Sequence, residues 1–313
     1  MSEPHHYIFG PVPSRRLGRS LGVDIVPAKF CTLDCVYCQV GHTTEKTLER
    51  RCFVDIEAVV AELQKRLAAG TCPDYITLSG SGEPTLNADL GLLIDRIKTV
   101  TNVPVALITN GTLLCHPEVR ADCCKADVIL PSLDAADDEC FRRVNRPHAD
   151  LTTDTQIRGL EALRRDYPGP IWLEVFVIEG MNTQPEHMQR LRDLIDRLGP
   201  DKVHLNTAVR PTADAGIVAL ESTSLDKLAL ELGSGCEVIA DYSRPTATPE
   251  ATGHIEDILT MLRRRPCSQQ DIAAGLDIGE QAVKGLLQDL CDRKRVETET
   301  RGSRTFFKIA DDQ

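Results

Sequence analysis

The sequence predicts a mixed α/β protein in which a partial (βα)6 barrel of the TIM type is followed by a small C-terminal winged-helix domain. Short apolar runs alternate with segments of helical periodicity over residues 1–239, which is the pattern of βαβ units and a parallel sheet. About six strands fit a partial barrel better than a closed eight-stranded one. Residues 254–313 change to three helices and a hairpin, the order of a winged helix.

The elements of the predicted barrel follow one another in regular order. Residues 10–24 contain two prolines and three glycines and predict an ordered loop that enters the first strand. An apolar run predicts that strand at 21–26. The later strands are predicted at residues 75–78, 103–108, 127–130, 171–178 and 202–206. Helices are predicted from apolar spacing at residues 56–67, 90–97, 119–125, 137–144, 153–165, 185–198 and 225–232.

The C-terminal part is separated from the barrel by a predicted linker at 240–253, which is rich in Pro, Thr, Ala and Gly. Apolar faces predict a helix from residue 255, a second one capped by Ser268 to Asp271, and a third at 281–293. Two strands around a turn, at 295–300 and 305–309, complete the pattern. Six basic residues against two acidic ones give 293–308 a net charge of +4.

The composition limits the class of protein. The net charge of the chain is −11, which opposes non-specific attraction to nucleic acid or to an anionic membrane over the whole surface. No apolar run of about eighteen residues and no signal peptide occur, so we expect a cytoplasmic protein with no membrane partner. Twelve cysteines in such a protein point to metal or redox chemistry and not to disulfides.

The chemistry is predicted by three cysteines in one loop. Cys31, Cys35 and Cys38 have C-x3-C-x2-C spacing, and Tyr37 precedes the last of them. Four thiolates saturate a [4Fe–4S] cluster, so three leave one iron open to a ligand from outside the protein. The alternative is a zinc loop, which usually needs a second Cys or His pair. The nearest histidine, His42, lies four residues beyond Cys38.

This cysteine spacing with its aromatic residue resembles the signature of the radical S-adenosylmethionine (SAM) superfamily. The resemblance covers most of residues 10–210. The loop at 10–24 is similar to that of a subgroup that includes the wyosine-base-forming tRNA enzymes. The resemblance implies a [4Fe–4S] cluster whose open iron binds SAM, reductive cleavage of SAM to a 5′-deoxyadenosyl radical, and hydrogen abstraction from a substrate. It also implies a one-electron reductant such as flavodoxin or ferredoxin as a partner.

Polar segments at the ends of the predicted strands are candidates for SAM binding, since sites in parallel α/β folds lie where strands end. The family usually has Gly-Gly-Glu-Pro after the second strand, and this chain has a serine inserted before the last glycine. The resemblance assigns nine residues to SAM: Gly80, Ser81, Gly82, Glu83, Asn110, Ser132, Asp134, Arg143 and Asn206. For Arg143 and the nearby Arg146, surface charge at a helix end is an equal alternative, and His204 competes with Asn206.

The sequence is compatible with several classes of substrate. Arg15, Arg16 and Arg19 could meet a carboxylate or phosphate, or could be surface charge. The basic segment 293–308 favours an RNA base as substrate, through phosphate contacts. The alternatives are a peptide, protein or small metabolite with the winged helix as a docking module, and a DNA-binding cluster sensor without turnover. Cys115, Cys123 and Cys124 are the best group for an auxiliary cluster, but their spacing matches no ferredoxin pattern.

Overall fold

The computed structural model describes residues 6–233, 235–239, 255–276 and 278–310, and the predicted linker 240–253 lies outside them. In chain order the strands are β1 Ile8–Ser14, β2 Gly18–Val23, β3 Phe30–Cys31, β4 Glu45–Lys46, β5 Tyr75–Leu78, β6 Val105–Thr109, β7 Val128–Pro131, β8 Trp172–Phe176, β9 Lys202–Asn206, β10 Cys236–Val238, β11 Cys267–Ser268, β12 Val296–Arg301 and β13 Arg304–Ile309. The helices are α1 Ile56–Ala68, α2 Leu90–Val100, α3 Pro117–Cys123, α4 Asp138–Val144, α5 Thr153–Asp166, α6 Pro185–Leu198, α7 Ser222–Leu232, α8 Ile255–Leu262, α9 Gln269–Leu276 and α10 Glu280–Asp292.

The parallel strands follow the chain in spatial order. Strands β1, β2, β5, β6 and β7 form one sheet in that sequence, and only the β1–β2 pair is antiparallel. Strands β8, β9 and β10 form a parallel sheet. Parallel bridges from Ile129 to Ile171 and from Ser132 to Glu174 bring β8 alongside β7. The predicted mixed α/β fold is therefore confirmed, and the carboxyl ends of its parallel strands lie along one edge.

The helices between these strands form where apolar periodicity and end signals coincide. In α1, the Asp55 carboxylate accepts hydrogen bonds from the backbone N–H groups of Glu57 and Ala58, which satisfies two free donors of the first turn. Its buried side chains follow helical spacing. Helix α6 ends at Gly199, whose φ of 57° suits glycine. None of the helices in the described parts of the chain is long and apolar enough to cross a membrane.

The structure differs from the sequence prediction at residues 10–24. The predicted loop contains strand β1, which pairs with β2 as an antiparallel hairpin interrupted between Phe9 and Val12. Pro11 and Pro13 lie in this strand. Proline lacks the N–H that a central strand needs, but an edge strand tolerates it. Strand β1 is an edge strand of its sheet. The short strand β10 was not predicted either.

The C-terminal module, residues 255–276 and 278–310, combines helices α8 to α10 with an antiparallel sheet of order β11-β13-β12. Ser268 and Asp271 cap α9 reciprocally, with N–H···O distances of 3.1 Å in both directions. The apolar core of the module includes Phe9 and Val12 of β1. Strand β1 therefore pairs with β2 in the larger sheet through its backbone, while its Phe9 and Val12 side chains pack into the core of the module.

Candidate active site at the cysteine loop

The cysteine loop lies at the carboxyl edge of the parallel strands, and its three cysteines are intermediate in exposure as whole residues. Asn110 Nδ2 lies 3.5 Å from the sulfur of Cys31, and Asn145 Nδ2 lies 3.4 Å from that of Cys35. Backbone N–H groups two and three residues on face the Cys38 sulfur. All three sulfurs thus have N–H donors, which stabilise thiolate ligands of an iron–sulfur cluster and tune its potential.

Glu83 joins two strand ends beside this loop. Its buried carboxylate accepts hydrogen bonds from the hydroxyls of Thr85 and Thr109, both at 2.6 Å. It also accepts from the backbone N–H groups of Thr85 at 3.1 Å and Asn110 at 2.8 Å. Burial raises its pKa, while these donors act in the opposite direction. The carboxylate of Glu83 therefore fixes the turn after β5 against the end of β6.

Asn110 connects that turn to the cysteine loop. Its Nδ2 donates to the Thr32 hydroxyl at 2.8 Å as well as approaching Cys31. Its Oδ1 accepts from the N–H of Thr112 at 3.0 Å. The amide orientation is thus set by partners on both sides, and the end of β6 holds a donor against the first cysteine.

Asp134 organises the opposite side of the loop. Its buried carboxylate accepts hydrogen bonds from the Tyr37 hydroxyl, from Asn145 Nδ2 at 2.7 Å and from Phe176 N–H at 2.8 Å. Burial raises the pKa of Asp134 to about 6. The rings of Tyr37 and Phe176 stack with centroids 3.8 Å apart. The aromatic residue of the cysteine signature is therefore held by β7 and β8 together.

The segment Gly80-Ser81-Gly82 packs too closely for larger residues. A Cβ on Gly80, which has a φ of 153°, would lie 2.3 Å from the Asp24 carboxylate carbon, and one on Gly82 would lie 2.2 Å from a backbone oxygen. The Ser81 hydroxyl donates to Asp24 at 2.6 Å. Arg264 of the C-terminal module pairs with the same carboxylate at 3.1 Å. Asp24 thus connects the glycine turn to the module.

Asn206 ends β9 in a polar group facing the interior. Its Nδ2 donates to Glu174 at 2.8 Å, and Arg15 donates to its Oδ1 at 3.1 Å. Glu174 forms an ion pair with Arg16. Burial acts to raise the pKa of Glu174, but Arg16 and its other donors hold it below the usual value. His204 is also buried near this group, and burial with nearby Arg16 lowers its pKa to about 4.

Two of the predicted SAM residues have different surroundings. Ser132 forms a bridge to Glu174 and its carbonyl accepts from Gln156 at 3.1 Å, so the described contacts are those of its backbone. Arg143 lies on α4, donates to the Met181 carbonyl and lines a separate surface cavity. The structure brings Asn110, Glu83 and Asp134 around the cysteines, but not Arg143.

That surface cavity has a volume of about 250 Å³ and contains a second thiol site. Cys140 Sγ lies 3.6 Å from His187 Nε2, and His187 Nδ1 lies 3.5 Å from Asp137 Oδ2. We call Asp137, Cys140 and His187 the Cys140 site. Burial raises the pKa of Cys140 to about 11 and lowers that of His187. Cys140 is therefore a neutral thiol beside a neutral imidazole at pH 7.

The donor set of the cysteine loop fits a three-cysteine iron–sulfur cluster. Within the described ranges, no three His, Cys, Asp or Glu side chains are grouped closely enough to hold a single metal ion. The same holds for Cys115, Cys123 and Cys124 as a mononuclear site. Burial followed by the Glu83 charge raises the pKa of Cys31 to about 12. Bound iron would supply the positive charge that keeps such thiols deprotonated.

Comparison with known proteins agrees with the cofactor inferred for this site. A sequence profile of the radical SAM superfamily matches residues 25–197, more than half of the chain. The chain belongs to the radical SAM superfamily. The matched residues include the cysteine loop, the glycine turn and the ends of β6, β7 and β8.

Two similar proteins cover almost all of this radical SAM chain. A protein of Brachyspira hyodysenteriae named GTPase Obg is 35% identical over 297 residues, 93% of this chain and 43% of that protein. A UPF0026 protein of Helicobacter pylori is 31% identical over 304 residues, 96% of each chain. This chain spans less than half the length of the first. It has no G-x-x-x-x-G-K-[ST] sequence, the phosphate-binding loop of many GTPases.

A solved structure shares the fold. Streptococcus suis SuiB, crystallised with S-adenosylmethionine, has a TM-score of 0.52 and 15% sequence identity to this chain. The alignment covers 71% of this chain and 50% of SuiB. At this identity the likeness concerns the fold of the radical SAM part.

Sequence reasoning missed several residues that hold the site. Neither Thr109 nor Asn145 is among the residues predicted from the sequence. Asp24 lies within the apolar run 21–26 and has no motif of its own. Its position directly after a strand that enters the site was the available signal.

Proposed function

We propose that the chain is a radical SAM enzyme in which a partial (βα)6 barrel carries a [4Fe–4S] cluster on Cys31, Cys35 and Cys38. The observation that supports this most is that each of the three thiols has N–H donors, which come from Asn110 after β6, from Asn145 at the end of α4 and from the backbone after Cys38. When bound, the cluster supplies the electron that cleaves SAM to methionine and a 5′-deoxyadenosyl radical, which abstracts hydrogen from the substrate.

The chain's own residues bind and orient the cosubstrate in this proposal. The glycine turn at 80–82 packs closely against Asp24 and against the backbone of Phe30, which holds the turn beside the cysteine loop. Glu83 holds that turn against Asn110, and Asp134 holds Tyr37 over Phe176. The apolar residues packed beside Cys31, Cys35 and Tyr37 limit water at the site, which protects a reactive intermediate.

The substrate and partners belong to the same proposal. The C-terminal module is proposed as a winged helix on the basis of three helices and an antiparallel hairpin. Its basic segment 293–308 supports contact with RNA phosphates, and the subgroup resemblance supports an RNA base as substrate. A peptide, protein or small metabolite is the alternative. A flavodoxin or ferredoxin is the proposed electron donor.

Anaerobic reconstitution tests the proposal directly. We expect about four irons and four sulfides per chain, an electron-paramagnetic-resonance signal of the reduced cluster that changes on addition of SAM, and 5′-deoxyadenosine as a product. Zinc in place of iron, or a cluster signal that ignores SAM, would contradict the proposal. A cluster that binds SAM without producing 5′-deoxyadenosine would favour the sensor.

A further inference from the structure

A cavity lined by arginines lies between the β1–β2 hairpin, the strand ends and the C-terminal module. Its volume is about 210 Å³. Three segments that are far apart in sequence contribute guanidinium groups to its wall, and these are Arg15, Arg16, Arg210, Arg264 and Arg265. No Asp or Glu is among the described residues that line it. The arginine cavity therefore presents guanidinium groups, and no carboxylate from its described lining, to a molecule within it.

Three of these guanidinium groups pair with carboxylates that are not part of the cavity wall. Arg16 pairs with Glu174, Arg210 with Asp271 at 2.9 Å, and Arg264 with Asp24 at 3.1 Å. Because these acids do not line the cavity, they fix the orientation of the arginines without filling it. The site is thus organised before any ligand arrives, which lowers the cost of binding.

Like charges are crowded in this cavity. Burial and then the charge of Arg210 lower the pKa of Arg15 to about 9. Burial and the charge of Arg210 also lower the pKa of Arg265. A bound anion would relieve this repulsion. Guanidinium groups arriving from several directions suit phosphate, which offers oxygens on all sides and accepts paired N–H donors.

The position of the cavity connects it with the proposed chemistry. Gln39 and Val40, which directly follow the third cysteine, form part of its wall. Gly80 and Asn206 line it too. A ligand held there would therefore contact the residues that directly follow the cysteine loop. The volume is below the roughly 300–1,000 Å³ of sites that enclose a drug-sized ligand, so it suits the head group of a molecule.

The geometry points to a binding site for the phosphate group of a small phosphorylated substrate, completed by Arg264 and Arg265 of the C-terminal module. Only the reaction of the bound substrate rests on the proposed radical SAM function. Binding of the phosphate group does not depend on it. The assignment gives the module a role inside the active site. A folded RNA would have to place one phosphate within this cavity, and the basic segment 293–308 would then also contribute to affinity.

The test measures anion binding separately from SAM cleavage. Inorganic tripolyphosphate is titrated calorimetrically into the reconstituted full chain, with citrate as a carboxylate comparison. We expect tripolyphosphate to bind and citrate to bind at least tenfold more weakly. Arg265→Gln and Arg15→Gln should each weaken tripolyphosphate binding tenfold or more. Arg263→Gln, in the same turn but with an exposed side chain, is the matched control and should retain the wild-type affinity.

A measurement on the unmodified chain covers the case in which a variant fails to fold. Tripolyphosphate should protect Arg15 and Arg265 from an arginine-specific dicarbonyl reagent, as read by mass spectrometry, and should leave Arg263 reactive. Absence of protection, or equal affinity in Arg265→Gln and Arg263→Gln, would overturn the assignment. Binding lost only in Arg304→Gln would move phosphate recognition to the basic segment and favour RNA. Absence of 5′-deoxyadenosine with intact tripolyphosphate binding would count against the enzyme and not against the site.

Discussion

The cysteine loop and the Cys140 site both place a thiol beside a nitrogen donor, yet they differ in how many elements meet there. Burial raises the pKa of Cys31 to about 12 and that of Cys140 to about 11, so acidity does not separate them. The loop gathers three thiols with donors from β6 and from the end of α4. The Cys140 site has one thiol, one imidazole and one carboxylate. The number of thiols and nitrogen donors that meet in the cysteine loop, and not the acidity of its thiols, therefore distinguishes it as the candidate metal site.

The largest effect should follow from Cys35→Ala. Removing one of three cluster ligands leaves two thiolates, too few to hold the cluster as proposed. We expect the iron content to fall from about four per chain to near zero and 5′-deoxyadenosine formation to fall to the assay background. Iron analysis and chromatography of the reaction check this. Full iron content in this variant would remove the distinction between the two sites.

Glu83→Gln should destabilise the whole carboxyl edge. The N–H donors of the new amide would face hydroxyl and backbone N–H groups that donate to the Glu83 carboxylate in the wild type. A buried unsatisfied donor costs about 1–3 kcal/mol, so we expect the melting temperature to fall by roughly 4–8 °C. Glu186→Gln, on an exposed position of α6, is the control. Equal melting temperatures in both variants would contradict the bracing role of Glu83.

Asn145→Ala should change the cluster without removing it. The substitution deletes the N–H donor 3.4 Å from the Cys35 sulfur, and hydrogen bonds to sulfur raise the reduction potential of a cluster. We expect iron to be retained, a more negative midpoint potential and slower SAM cleavage. A spectroscopic redox titration measures the potential. An unchanged potential would mean that the donor does not act on the cluster sulfur.

His187→Gln should alter the pH dependence of stability at the Cys140 site. Burial lowers the pKa of His187, which faces Asp137, Cys140 and Arg190. The unfolded chain therefore binds more protons below its histidine pKa of about 6.5, and the free energy of unfolding decreases as the pH falls through that value. We expect the melting temperature of the variant to decline less than that of the wild type from about pH 7 to about pH 5. His116→Gln, with an exposed histidine, should follow the wild-type slope.

Cys140→Ala should have the smallest effect. It removes a buried sulfur that belongs to the apolar cluster around Phe141 and Val144, at a stability cost of about 1 kcal/mol. We expect iron content, cluster spectrum and SAM cleavage to match the wild type. A loss of iron comparable to that in Cys35→Ala would show that the Cys140 site takes part in cluster binding.

Much of the site was predictable because its parts are linear motifs at strand ends. The cysteine loop, the turn at 80–84 and Asp134 each come after a strand in the chain. These strands have the same order in the sheet as in the sequence. Parallel βαβ folding then brings them to one edge. Arg143 shows the limit, since a residue on a helix after such a strand can face outward. The side on which it lies depends on packing against α6 rather than on local pattern.

The arginine cavity was predictable only in part. Arg15 and Arg16 were recognised as candidates for anion binding, but Arg264 and Arg265 lie about 250 residues later in the sequence and in another predicted domain. They reach the cavity because β1 forms a strand with its side chains in the core of the module. The prolines of β1 predicted a loop, and a loop gives no reason for that packing.

The contact of Arg264 with Asp24 has a consequence for engineering the chain. The same carboxylate accepts a hydrogen bond from the Ser81 hydroxyl, so a single acid is shared between the glycine turn and a distant segment. Replacing the C-terminal module with that of another protein would leave the buried Asp24 carboxylate without its paired cation, unless the new module supplied one at the position of Arg264. Truncation of the C-terminal module should therefore disturb the glycine turn beside the cysteine loop, although the cut lies far from the loop in sequence.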